Sequence, residues 1–236
     1  MILEILNWNT ALTEHNEHAE NIFDYIFRFL EKTNAVAVLQ QIPYKAPENH
    51  WAQHDVFTKL QERCSGRIQM IHNGHFNNGY VYMETVILTN IADAVPAVTD
   101  CYPESCPTNR EAAVVIRTGE RELTILGIHA KNGKDNAGYL KALRSNPSDL
   151  ILGDFNAGDY PDSENQALFR SIPEQHVCVC NLPTKRVMNR AGFVTRETCI
   201  DHVLVKQEYV TACKAVTVDR NMTISDHYPV LIRMEL

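Results

Sequence analysis

Apolar runs of strand length recur from one end of this chain to the other, and most of them stop on a polar side chain. "ILEILNW" alternates with period two and runs into Asn7 and Asn9, while "AVAVLQ" runs into Gln41. "ELTILGIHA" closes on His129, and "DLILGDFN" on Asp154 and Asn156. Asp201 and His202 stand at the start of "CIDHVLV", and Asp226 and His227 open the last run in "SDHYPV". Runs this short and this numerous are strands of buried sheets rather than membrane spans, which need ~20 apolar residues.

Helical spacing appears between them. Ile22, Phe23, Ile26, Phe29 and Leu30 predict a helix over residues 15 to 32, and Val56 with Leu60 predicts a short one before Arg63. A further helix is expected from Ala137 to Arg144. Adjoining strands are expected at "GRIQMIH" and "YVYMETVILTN", and a hairpin at "EAAVVIRTGERELTILGIHA", with "TGE" as its turn. "TACKAVTV" and "YPVLIRM" supply the last strands, while residues 92–110 and 181–198 read as long loops. Strand-rich segments in both halves with helices between them favour an α/β architecture of two sheets covered by helices over one parallel sheet. No repeat or linker divides the 236 residues, so a single domain over 1–236 is expected.

The net charge of −7 excludes a uniformly basic nucleic-acid coat, but not an enzyme whose local basic rim or bound cations offset an acidic surface. The seven cysteines include no CxxC pair. Cys178 and Cys180 would share a face of a strand, and Cys101 and Cys106 flank a proline-containing loop. The odd count, with "MILEILNWN" reading as a strand rather than an export signal, points to reduced thiols and a cytoplasmic setting.

Each polar strand end has an ordinary explanation as a turn former or a hydrogen-bonded structural residue. Together they describe one pocket, because rigid scaffolds display chemistry at strand ends. Oxygen donors from Asp and Asn suit Mg²⁺ or Mn²⁺. Histidines donating to a phosphoryl oxygen stabilise developing charge, and a carboxylate can deprotonate an attacking water. These parts suit metal-assisted phosphoester hydrolysis. The chain has no HExxH motif, no GxxxxGK[ST] loop and no GxSxG elbow.

In order, "NWN", "VLQQ", "GIHA", "GDFN", "IDHVLV" and "SDHYPV" resemble the endonuclease/exonuclease/phosphatase superfamily along nearly the whole chain. The resemblance implies a four-layer α/β sandwich, with two packed mixed β-sheets flanked by helices and the site at one edge. It implies that Asn9 helps hold the metal region or a phosphate, and that His129 hydrogen-bonds the scissile phosphate or acts as general acid. Asp154 would deprotonate the water and Asn156 would bind a phosphate oxygen. Asp201 would support a metal or water. Asp226 would bind metal or orient His227, which would contact the phosphate, and His202 takes a structural or rim position.

The departure is Gln41, where the family pattern places a metal-binding Glu. Losing a full charge beside a dication forfeits several kcal/mol of attraction at intermediate dielectric. An enzyme with altered metal binding, a natural pseudoenzyme and a deliberately silenced form all fit that substitution.

Lys185, Arg186, Arg190 and Arg196, with Lys131 and Lys134, are candidates for a phosphate-binding rim. Tyr44, Trp51, Phe76 and Tyr80 could stack exposed bases or pack in the core. The compact chain favours a nucleic-acid phosphodiesterase with Mg²⁺ or Mn²⁺, and neither a membrane nor an obligate protein partner is expected. The alternatives are a non-catalytic phosphate-ligand or protein-binding module, and a phosphatase of small phosphoesters.

Overall fold

The computed structural model describes residues 1–44, 55–64, 66–74, 83–98, 108–119, 121–132, 136–158, 163–172 and 175–236. Trp51, Phe76, Tyr80, Cys101, Cys106 and Lys134 lie outside these.

The chain begins with β1 (Ile2–Asn9), α1 (Ala19–Phe29), β2 (Ala35–Pro43) and α2 (Val56–Arg63). There follow β3 (Gln69–Ile71), β4 (Met83–Thr89), β5 (Val95–Pro96), β6 (Glu111–Thr118) and β7 (Arg121–His129). Next come α3 (Ala137–Leu143), β8 (Leu150–Asp154), α4 (Ser163–Ser171), β9 (His176–Cys178), β10 (Lys185–Met188) and β11 (Val194–Thr198). The last strands are β12 (Asp201–Lys206), β13 (Cys213–Val218) and β14 (Val230–Glu235). One six-stranded sheet has the order β13-β14-β1-β2-β4-β3, and a second has β5-β6-β7-β8-β12-β9.

Each sheet is antiparallel except at its centre. There β1 runs parallel to β2, and β7 runs parallel to β8. A parallel neighbour requires a crossover, which α1 supplies in the first sheet and α3 in the second. Both crossovers deliver the carboxyl ends of a parallel pair to one edge of a sheet.

Side-chain parity assigns the layers. Leu3 and Ile5 of β1, Val36 and Val38 of β2, Ile125 of β7, Leu152 of β8, Val203 and Val205 of β12, and Val230 and Ile232 of β14 form one core between the two sheets. The intervening residues face outward: Leu6 and Trp8 pack with Ile22, Phe23 and Ile26 of α1, while Leu126, Ile128 and Ile151 pack with Leu140 and Leu143 of α3. The result is helix, sheet, sheet, helix. Gly127 lets the sheets approach, since a Cβ built there would lie 2.3 Å from Val38 Cγ1. Each fully buried aliphatic or aromatic side chain contributes about 1.5–3 kcal/mol, so the three cores outweigh any single polar contact.

The four-layer α/β sandwich agrees with the sequence expectation. The first helix is shorter than residues 15 to 32, because a 3₁₀ turn at Asn16–His18 precedes α1. Residues 181–198 are not a loop throughout: β10 and β11 pair as a ribbon over Lys185–Thr198. Its strands are interrupted by exposed polar residues and carry no apolar alternation strong enough to announce them. No helix among the described residues is long and apolar enough to cross a membrane.

Candidate active site

The same parity that buries Leu3, Ile5, Ile125, Leu152 and Val203 puts Asn9, His129, Asp154 and Asp201 on the inter-sheet side, at the end of the core. Registry completes the convergence: His129 lies opposite Asp154 across β7 and β8, and Asp201 lies opposite Asp154 across β12 and β8. Ligands of open α/β sheets characteristically bind beyond the carboxyl ends of parallel strands.

Asp154 is the hub. Asn9 Nδ2 donates to its Oδ2 at 2.8 Å, and the Asn156 amide donates to its Oδ1 at 2.8 Å. Nε2 of His129 and Nε2 of His227 both lie 3.8 Å from Asp154 Oδ2. Burial raises the Asp154 carboxyl to about 6, with Asp201 adding to the rise and the His227 imidazole and Lys185 opposing it. Gly153 makes this strand end possible. At φ 151° it approaches β7 so closely that a Cβ would lie 1.9 Å from the Ile128 carbonyl oxygen.

His227 is held on both sides. Its Nδ1 lies 2.8 Å from Asp201 Oδ2 and 3.0 Å from Oδ1, and its carbonyl accepts from Trp8 Nε1 at 3.0 Å. A carboxylate only accepts when ionised, so Nδ1 carries the proton and Nε2 faces the pocket. Burial opposes protonation of this ring, but Asp201, Asp154 and Asp226 together outweigh it and raise its pKa. Asp201 is fixed in turn by Thr184, whose Oγ accepts the Asp201 and Ile200 amides.

His129 has the opposite electrostatics. Burial lowers its pKa well below the usual value, and the positive charge of Arg110 adds to this. Arg110 Nη1 donates to the His129 carbonyl at 3.1 Å, fixing the strand end from below.

Asn156 adopts φ 46° and donates Nδ2 to the Ala130 carbonyl at 2.8 Å, so its amide oxygen remains on the acceptor side. Asp226 sits at the mouth: one oxygen is 3.8 Å from His227 Nε2 and the other 3.3 Å from Lys185 Nζ. Gln41 lies in a bulge of β2, at φ 60°, and its side-chain oxygen accepts from Thr13 Oγ. Asn7 points down the core to Gln40, whose Nε2 donates to Asn7 Oδ1 at 3.0 Å.

The expected site residues other than Gln41 divide into three groups. Asn9, His129, Asp154, Asp201 and His227 are brought together and buried, with Asn156 joined to them through its backbone and Asp226 at the rim. Arg186 donates to the carbonyls of Thr223 and Ser225 at 2.7 and 2.6 Å, which ties the ribbon to the loop bearing Asp226. Lys131 is half-buried, and Arg190 and Arg196 stand exposed on the ribbon. Tyr44 is buried in the core under α1 and α2 instead of offering a stacking face. His202 is also buried, as a structural position would require, with its ring stacked on Phe169 at 4.0 Å. Thr184, Ser225 and Arg110 were not singled out by sequence. Their contribution is hydrogen bonding to main chain, including Ser225 Oγ to the Asn9 carbonyl at 2.8 Å, and such contacts leave no residue pattern.

Among the described residues, the set of three His, Cys, Asp or Glu donors within 4.8 Å of one another is Asp154, Asp201 and His227. The carboxylate oxygens in this set suit a hard divalent cation, while His227 is already engaged by Asp201.

No protein-family model matches the chain, and no curated protein matches it in sequence. Solved structures do. An endonuclease/exonuclease/phosphatase family protein from Leptotrichia buccalis C-1013-b is similar at TM-score 0.71 and 15% identity, covering 99% of this chain and 100% of that one. An AP endonuclease from Leishmania major is similar at TM-score 0.70 and 12% identity, covering 100% and 88%. A 3′-5′ exonuclease from Neisseria meningitidis is similar at TM-score 0.69 and 17% identity, covering 99% and 100%. The layers, the two crossovers and the full-length superpositions agree: this chain has the endonuclease/exonuclease/phosphatase fold.

Proposed function

We propose that this chain is a divalent-metal-dependent phosphodiesterase that hydrolyses DNA or RNA by in-line attack of water. The observation that carries the reading is the environment of Asp154: a buried carboxylate, raised to about 6, flanked at 3.8 Å by the Nε2 atoms of two histidines. Two of the similar solved structures are named as nucleases, an AP endonuclease and a 3′-5′ exonuclease, and support it.

Asp154 accepts the proton of the attacking water. Asn9 and the Asn156 amide hold its two oxygens, so it meets the water in one orientation. Asp201 aligns His227 and favours its charged form, which presents Nε2–H to a phosphate oxygen. His129, kept neutral, offers a hydrogen bond rather than a charge. The Asn156 side chain fixes the loop through Ala130 and grips the phosphate on its other side. Because both Asp201 oxygens lie on His227, we assign Asp201 to orientation and give the cation to the oxygens of Asp154 and Asp226, with the amide oxygens of Asn9 and Gln41 as weaker donors. When bound, Mg²⁺ or Mn²⁺ would supply Lewis-acid polarisation of the phosphoryl oxygens. Gln41 weakens that binding by one charge. Lys131, Arg190 and Arg196 line the approach of the phosphate backbone. A reducing cytoplasm is the compartment that suits the thiols of Cys64, Cys178 and Cys180.

The Gln41 substitution favours a second reading, a phosphate-ligand or protein-binding module without turnover. One experiment separates them. The chain with Gln41 and its Gln41→Glu variant are incubated with labelled single- and double-stranded DNA and RNA in Mg²⁺, Mn²⁺ or EDTA. Cleavage by either protein that EDTA abolishes supports the enzyme, while binding with no cleavage by either supports the module.

A further inference from the structure

We propose that Cys178, Cys180, Cys199 and His202 form a second metal site, of thiolate and imidazole donors, that takes a thiophilic d¹⁰ ion such as Zn²⁺. The four residues come from two stretches of chain: Cys178 at the end of β9 with Cys180 just after it, and Cys199 between β11 and β12 with His202 on β12. His202 and Asp201 are consecutive on β12, so their side chains leave opposite faces of the sheet. Asp201 enters the active site, and His202 passes into the layer of α3 and α4.

The tautomer of His202 is set by its surroundings. Nε2 lies 2.9 Å from the Ala157 carbonyl oxygen, which can only accept, so Nε2 carries the proton. Nδ1 is then a lone-pair donor, and two thiols meet it: Cys199 Sγ at 3.7 Å and Cys178 Sγ at 3.8 Å. An imidazole whose far N–H is fixed by a backbone carbonyl is the usual second contact of a metal-ligating histidine. Cys180 joins the group because its carbonyl oxygen accepts from Cys178 Sγ at 3.3 Å and Cys199 Sγ at 3.7 Å, while its own thiol hydrogen-bonds Cys199.

Distances suit the ion. Tetrahedral Zn²⁺ with Zn–S about 2.3 Å and Zn–N about 2.0–2.1 Å places sulfur and nitrogen about 3.6 Å apart. The two S···N separations are within a few tenths of an ångström of that value. No three of the four donors lie within 4.8 Å of one another, so closing the set takes rotation of at least one thiol. An open groove of about 480 Å³, lined by Cys178, Cys199, His202, Phe169 and Arg170, gives the ion a route in. Sulfur and imidazole donors also separate this ion from the one at Asp154, where the donors are mainly oxygen.

The site has a consequence for the fold. His202 holds the Ala157 carbonyl, one residue beyond Asn156, so an ion on Nδ1 would brace the loop that follows Asp154. This inference does not depend on the hydrolase reading.

The test uses the full chain, purified with reductant and stripped of metal by a chelator, then titrated with Co²⁺ and with Zn²⁺. The expected result is thiolate-to-cobalt charge-transfer absorption and tetrahedral visible bands that saturate at one sulfur-bound Co²⁺ per chain and are displaced by Zn²⁺. Zn²⁺ should also raise the unfolding temperature. The band should be lost in Cys178→Ser and Cys199→Ser and retained in Asp154→Asn. If Cys199→Ser does not fold, Cys178→Ser, whose side chain is half-exposed, still decides the question. The proposal is overturned if the reduced chain shows no charge-transfer band. It is equally overturned if the band survives Cys178→Ser/Cys199→Ser.

Discussion

Replacing Asp201 with Asn keeps the shape of the His227 contact and removes its charge. Both Asp201 oxygens lie 2.8 to 3.0 Å from His227 Nδ1, and both side chains are about 1% exposed, so solvent does not screen the pair. Asp201 is the largest influence favouring the imidazolium, against a burial that disfavours it. A charge-assisted hydrogen bond of this kind contributes about 1.5–3 kcal/mol, which is roughly ten- to hundredfold in the protonation equilibrium of His227. Asn still accepts from Nδ1–H through its oxygen, so the ring stays in place while its charged form is lost. The assay is imidazole NMR of native and Asp201→Asn chains across pH, in EDTA. The account predicts that His227 titrates at distinctly lower pH in the variant, with cleavage at neutral pH falling about tenfold or more. A His227 titration unmoved by Asp201→Asn would refute the dyad and its role.

Four further outcomes follow from the same geometry. Gln41→Glu places a carboxylate where the superfamily resemblance puts a metal-binding Glu, and should tighten Mn²⁺ binding by at least about tenfold, measured by calorimetry. Activity should fall on the acid side as pH drops through about 6, because Asp154 must be ionised to take the proton. It should also fall on the alkaline side as His227 deprotonates, and added cation should move the acid limb lower, all read from a pH–rate profile. Gly153→Ala forces a Cβ to 1.9 Å from the Ile128 carbonyl oxygen and should destabilise the fold by more than about 2 kcal/mol in urea unfolding. Removing either Arg190 or Arg196 should weaken binding across all nucleic-acid sequences and reduce the log–log salt slope by about 1.

The layers were legible because parity and period are local properties. Leu3 and Ile5 against Leu6 and Trp8, and Ile22, Phe23, Ile26 and Phe29 on one stripe, specify which face each element buries before any neighbour is known. The convergence of Asn9, His129 and Asp154 was legible for a related reason: each is the polar end of an apolar run, and parallel crossovers carry such ends to one edge. His227 precedes β14, whose start lies at that edge because it runs antiparallel to β1. What could not be read is pairing. The sequence resemblance offered Asp226 as the residue that orients His227, whereas in the fold both Asp201 oxygens lie on His227 Nδ1. The ribbon of β10 and β11 was hidden because neither strand has a buried face to leave an alternating pattern. Arg186 reads as a free cation in sequence, yet its guanidinium donates to carbonyls nearly forty positions away, at Thr223 and Ser225. The meeting of Cys178 and Cys199 at His202 was equally invisible, since it depends on β9 lying beside β12.

The central claim is that Asp154 activates water for metal-dependent cleavage, and it is tested most directly by comparing Gln41→Glu with Gln41→Glu/Asp154→Asn on one labelled DNA in Mn²⁺. The account predicts cleavage by the first that EDTA abolishes, and a loss of at least about a hundredfold in the second, as expected when a general base is removed. Equal cleavage by the two proteins would contradict it.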